Sequence, residues 1–161
     1  VEIGCRENRQ HRLKNMIHYT HHHRVRYREC DPMGVVYHTH YLDYFEAART
    51  EALRDFGLAY RDLEEEGIIM PVTKVDVRYH RPARYDELLE IRTIFPDIPE
   101  TRVSIDYEVY ATERAPQLVS GRVELCFVNR SSRRPIAPPE SIKEVFSTVP
   151  EAYKSDSPNN P

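Results

Sequence analysis

No segment of the 161-residue chain approaches the roughly 20 consecutive apolar residues that a membrane-spanning helix requires, which predicts a soluble protein with no integral membrane segment. Positive charge is not in excess either. Lysine and arginine number 23 against 26 acidic residues, so the chain as a whole offers no basic field for nucleic acid or anionic lipid. Cysteine is scarce: Cys5, Cys30 and Cys126 are odd in number and match the spacing of neither a disulfide framework nor a zinc site, which predicts a reducing, cytoplasmic setting. The first residues, VEIGCRENRQHRLKNM, lack the apolar core of a signal peptide. Met16 is read as a start and residues 1–20 as a leader outside the fold.

What remains fits a single domain, placed at residues 21–148, with a polar tail over 149–161. His22 to Glu29 alternates, with Val25 and Tyr27 on one face, and is read as a short strand. From Tyr41 to Phe56 apolar side chains fall at 41, 44, 45, 48, 52, 53 and 56, the spacing of a helix face. Leu42 and Ala47 widen that stripe and predict a helix buried on most of its circumference. Gly57 stands where a helix cap is expected, and Tyr60 to Glu66 reads as a short second helix.

Beyond Ile68 the period becomes two. Val72–His80, Leu88–Phe95, Val103–Ala111 and Leu118–Val128 each read as a strand burying one face. Their short, proline-containing connections predict neighbouring antiparallel strands in a meander. One strand, one long apolar helix and four more strands make an α+β domain, the helix covering the sheet's apolar face. After Arg130 the chain turns polar and proline-rich, with one possible amphipathic turn at Ile142, Val145 and Phe146 and a disordered end over the last eight residues.

Chemistry concentrates at Asp31-Pro32-Met33-Gly34, whose residue types suit a type I turn. The plain reading is a connector whose Asp caps the turn. The functional reading notes that a helix follows, whose first N–H groups lack internal partners and carry the positive end of the dipole. A carboxylate just ahead of such a helix can face a substrate carbon whose oxygen rests on those donors, as acyl transfer needs. Asp31 supplies the carboxylate and the backbone near His38 the donors.

The run from Arg24 through Glu29-Cys30-Asp31-Pro32-Met33-Gly34-Val35-Val36-Tyr37-His38-Thr39-His40-Tyr41 to Arg49 resembles the signature of the 4-hydroxybenzoyl-CoA thioesterase family, in its YbgC-type branch of hotdog-fold enzymes. Asp31, Gly34, Val36, Tyr41, Tyr44 and Glu46 occupy matching positions, and Arg81-Pro82-Ala83 through Asp86-Glu87-Leu88 is similar to a family turn. His40 departs from the asparagine that many relatives carry. The resemblance implies a hotdog fold, a five-stranded antiparallel sheet wrapped around one long central helix. It also implies hydrolysis of short-chain or aromatic acyl-CoA in a homodimer assembling to a homotetramer.

By that resemblance Asp31 acts as nucleophile or as general base on a water, in ionised form in either role. The backbone N–H of His38 binds the thioester oxygen, and its imidazole is a further candidate. Gly34 and Tyr41 join the catalytic set, and Glu46 is a secondary carboxylate candidate, paired near Arg49. Tyr37 and the arginines Arg102, Arg81 and Arg84, with Arg78, are candidates for binding the substrate and its CoA phosphates. A dehydratase acting on acyl-carrier protein and a non-catalytic acyl-binding protein are the rival readings. No cofactor is expected. His21-His22-His23 with His38 and His40 invites a metal reading, but consecutive histidines on a strand alternate faces and no partner motif accompanies them. Cys30 invites a Cys–His pair, against which the neighbouring carboxylate would raise its thiol pKa.

Overall fold

Alternation dominates the central strands. β4 (Leu88–Phe95) and β5 (Arg102–Ala111) bury every second residue, among them Leu89, Ile91, Phe95, Val103, Ile105, Tyr107 and Val109. The computed structural model describes residues 16–112 and 114–154. Within them β1 (Ile17–Arg24), β3 (Val72–Tyr79) and β6 (Arg114–Cys126) join β4 and β5 in one antiparallel sheet of order β1-β4-β5-β6-β3. A two-residue pair, β2 (Ile68–Ile69) with β7 (Val128–Asn129), stands apart.

The order corrects the expected meander. β4, β5 and β6 follow one another as hairpins, but β3 pairs with β6 at one edge while β1 pairs with β4 at the other side. The connection from Tyr79 to Leu88 therefore crosses the sheet's end. Three strand spacings are about 14 Å, well within the reach of eight extended residues, so a short connection bounds distance without enforcing adjacency.

The first strand is also displaced. β1 begins at Ile17, inside the segment read as a leader, and ends at Arg24; Tyr27–Glu29 forms a 3-10 turn instead. Val25 is buried whereas Tyr27 is 82% exposed, so the two do not share a face. At the other end the fold runs past residue 148. The helix α3 (Glu140–Thr148) buries Ile142 and Phe146, the latter edge-on to Phe95, and Val149 is buried beyond it. Tyr153 then packs against Phe56 and Tyr19, and Lys154 bridges to Ile17. The last eight residues lie, all but Lys154, outside those described.

The long helix α1 (His40–Asp55) buries Tyr41, Tyr44, Phe45, Ala48, Arg49, Ala52 and Leu53. A short helix, α2 (Tyr60–Glu65), follows Gly57. α1 packs over β1 and β4, and Phe45 reaches further to lie flat on Tyr107, ring centroids 4.2 Å apart. That reach needs Gly121 in β6, because a Cβ there would stand 2.6 Å from the Phe45 ring. A single helix is about 10 Å wide while five strands span roughly 19 Å, so one helix cannot cover the whole sheet. Two expectations fail: nothing among the described residues covers the outer side of α1, and the helix is too narrow to bury the far strand. Leu42, Asp43, Glu46 and Ala47 leave one face of α1 exposed, and β3 buries none of its residues, with Val75 42% and Tyr79 49% exposed.

Candidate active site

Cys30 and Val36 pair across a hairpin whose loop is the Asp31 turn. The Asp31 N–H donates to Val35 O and the Gly34 N–H to Asp31 O, both at 2.9 Å, while Gly34 adopts φ +77°. This is a type I turn closed by a left-handed residue, a standard hairpin loop in which glycine costs nothing. Nothing lies within 4 Å of a Cβ built at Gly34. Its role is therefore the backbone angle, and the turn does not need it for close approach of a neighbour.

The turn-capping reading of Asp31 holds, and it leaves one carboxylate oxygen uncommitted. One carboxylate oxygen, Oδ1, accepts the Met33 N–H at 2.8 Å and faces the Val35 N–H at 3.5 Å, fixing the side chain as a turn cap. The other, Oδ2, accepts no hydrogen bond among the described residues. It belongs to a half-buried side chain at a cavity of about 320 Å³, the low end of ligand-pocket size. Asp31, Tyr37, His38 and Tyr41 line that cavity together with Tyr79, His80, Arg81 and Pro82.

The hairpin is tied to its surroundings by backbone. Val36 N–H donates to Ala83 O, Val35 bridges Arg84, and Tyr37 N–H donates to Glu29 O at 2.9 Å. Ala83 N–H in turn donates to the buried Tyr41 hydroxyl at 3.3 Å, so Tyr41 secures the segment behind the turn. At the start of α1, Thr39 makes no side-chain cap bond, and the N–H groups of His38 and Thr39 meet no acceptor among the described residues. The His38 carbonyl accepts the Tyr79 hydroxyl at 3.0 Å, and its ring lies against Tyr37 and edge-on to Tyr79. A residue with an open carboxylate oxygen and a residue with an open N–H at a helix start thus line one cavity, the group types that acyl transfer uses.

Of the residues singled out from sequence, Asp31, Tyr37, His38, Tyr41 and Arg81 come together here. Glu46 does not: it is exposed on the outward face of α1, and the buried Arg49 instead donates to the Tyr60 hydroxyl at 3.2 Å. Arg84 presents its backbone N–H to Glu87 and is not in the lining; Arg102 lies at the start of β5, 3.7 Å from Glu124. Arg78 is exposed on β3. Burial, then Asp31 and Glu29, push the Cys30 thiol up, which disfavours a thiolate nucleophile. His21 and His23 share one face of β1 and His22 takes the other; no three His, Cys, Asp or Glu side chains among the described residues are placed to hold a metal.

Sequence reasoning missed three contributors. Tyr79 and His80 enter from the end of β3, a place that only the crossing connection brings near Asp31. Glu29 is buried at 6% exposure. Its Oε2 accepts the Arg26 N–H at 2.8 Å, shares a hydrogen bond with His23 Nε2 at 2.9 Å and accepts the Tyr44 hydroxyl at 2.9 Å. Burial pushes its carboxyl up, but those bonds outweigh burial and hold it below the ordinary glutamate range. The available signal was a second carboxylate separated from Asp31 by Cys30 alone.

The profile of the thioesterase-like superfamily matches residues 25–146. Acyl-CoA thioesterase YbgC of Helicobacter pylori strain J99 is 33% identical over 133 residues, covering 78% of this chain and 98% of its own. Acyl-CoA thioester hydrolase YbgC of Escherichia coli O6:H1 is 34% identical over 123 residues, covering 76% and 91%. Among solved structures, the DHNA-CoA thioesterase from Staphylococcus aureus superposes with a TM-score of 0.77 at 30% identity, over 83% of this chain and 91% of that one. By sequence and by its five-stranded sheet around one long helix, the chain belongs to the thioesterase-like superfamily of hotdog-fold proteins.

Proposed function

We propose that the chain hydrolyses acyl-CoA thioesters at the Asp31 turn. The observation that carries the reading is that Asp31, with Oδ2 unbonded, and His38, with its N–H unaccepted among the described residues, line one cavity. The thioester carbonyl carbon sits before Asp31 and its oxygen on the His38 N–H. Attack, by Asp31 itself or by a water that Asp31 deprotonates, places negative charge on that oxygen as the carbon becomes tetrahedral. Collapse breaks the C–S bond and releases CoA thiolate, which takes up a proton; where water attacked, the free acid forms at once, and where Asp31 attacked, water then hydrolyses the acyl–Asp31 anhydride to free acid and restores the carboxylate. Gly34 sets the turn, Tyr41 secures the Ala83 segment behind it, and Tyr37 and Arg81 line the substrate's approach.

The relatives named as acyl-CoA thioesterases support the substrate class, with short-chain and aromatic acyl groups as candidates. A second copy fits the open β3 edge and the bare face of α1, in a homodimer that assembles to a homotetramer. In such an assembly Arg84 and Arg102 are candidates for the CoA phosphates of a site completed across copies. We place the enzyme in the cytoplasm, on its cysteine usage; no helix among the described residues is long and apolar enough to cross a membrane.

Thiol release from a panel of short-chain and aromatic acyl-CoA substrates tests the reading. Asp31→Asn is expected to lower kcat by at least about a hundredfold, as removal of an essential nucleophile or base does. Full activity in Asp31→Asn would sink the assignment. Enoyl formation without free thiol would favour a dehydratase, although the His38 ring faces tyrosines and no carboxylate among the described residues.

A further inference from the structure

Glu29 takes no part in the chemistry above, yet it is a buried carboxylate with three hydrogen bonds converging on one oxygen. Removing a charge from water is costly unless hydrogen bonds replace its hydration, and an apolar side chain of similar size fills such a site at less cost. What the carboxylate does that an apolar group cannot is join three separate parts of the chain at fixed distances. His23 lies on β1, Tyr44 on α1 and Arg26 on the segment leading into the turn; the His23 and Tyr44 rings also pack 4.3 Å apart.

The same residue grips both arms of the catalytic hairpin. Cys30 alone separates it from Asp31. Its backbone carbonyl accepts the Tyr37 N–H at 2.9 Å, and Tyr37 immediately precedes His38. The arm bearing the carboxylate and the arm bearing the N–H donor thus meet at Glu29, and Glu29 is bolted through Tyr44 to the helix. We propose that Glu29, with Tyr44 as its anchor on α1, is a positioning residue that sets the separation of Asp31 from the His38 N–H. The proposal rests on the reading of Asp31 as the catalytic carboxylate.

Positioning of this kind acts on turnover more than on binding, since an attacking group misplaced by about 1 Å loses on the order of a hundredfold in rate. The test uses the full chain with butyryl-CoA and 4-hydroxybenzoyl-CoA, in Glu29→Gln, Tyr44→Phe, their double variant and Asp31→Asn. Glu29→Gln and Tyr44→Phe are each expected to lower kcat at least about tenfold with KM within about twofold of the parent. The double variant should be no worse than Glu29→Gln alone, because the two side chains act through one bond. Amide exchange should quicken at Asp31, Val36 and Tyr37 but not in β5. Should Glu29→Gln fail to fold, Tyr44→Phe and His23→Gln carry the same measurement. Unchanged kcat in folded Tyr44→Phe and Glu29→Gln beside an inactive Asp31→Asn overturns the positioning role alone. An active Asp31→Asn overturns both it and the reading beneath it.

Discussion

β4 and β3 are both eight residues long, both alternate in sequence, and meet opposite fates. β4 lies inside the sheet under α1 and buries Leu89, Ile91, Thr93 and Phe95; β3, at the far edge, meets the helix through Tyr79 on Tyr41 and has only Val77 half-buried, with no residue fully buried. The apolar pattern marks which face a strand turns inward, and position in the sheet decides whether anything covers that face. The uncovered strand is also the one that brings Tyr79 and His80 to the Asp31 cavity.

Five variants would sharpen or break that contrast. The largest effect is expected from Ile91→Ala in β4, which empties a fully buried site and should cost about 2–5 kcal/mol in denaturant unfolding; a loss no greater than that of its β3 counterpart would contradict the picture. Next comes Gly121→Val, which pushes a side chain into the Phe45 ring and should cost about 1–3 kcal/mol.

Third is the buried Glu29, whose hydrogen bonds should contribute about 1–3 kcal/mol at neutral pH. Because its folded pKa is depressed, that stability is fully present above the unfolded value of about 4.3 and disappears as pH falls through the lower folded value. The gap in Tm between the parent and Glu29→Gln should therefore close on acidification below about pH 4, and a gap that widened there would reverse the sign. Smallest is Lys74→Ala on β3, whose exposed pair with Glu124 at 3.8 Å should be worth less than about 1 kcal/mol. Val75→Lys on the same strand should leave the single chain's stability nearly unchanged while lowering the oligomeric state seen by light scattering.

Much of this was legible beforehand because it is local. The Asp31 turn, α1 to within one residue at each end, the alternation in β4 and β5 and the Gly57 stop all depend on neighbours a few positions away. Ile142 and Phe146 also kept their helical spacing. The errors lie where contact is distant. Ile17–Thr20 is set aside with the leader because its alternation of Ile17 and Tyr19 is too short to stand alone, and β4 beside it makes it a strand. Glu46 and Arg49, three positions apart on α1, looked like a pair; the helix turns one outward and the other onto Tyr60.

The sequence by itself determined the long helix, the central strands, the turn with its aspartate and the resemblance that named a family, since backbone angles, period and residue type are properties of short segments. The tertiary structure decided that β3 sits at an edge, that Tyr79, His80 and Arg81 join Asp31 and His38, and that Glu29 is buried under three hydrogen bonds. Those outcomes depend on how wide a sheet one helix can cover and where an eight-residue connection crosses, and no local pattern records either.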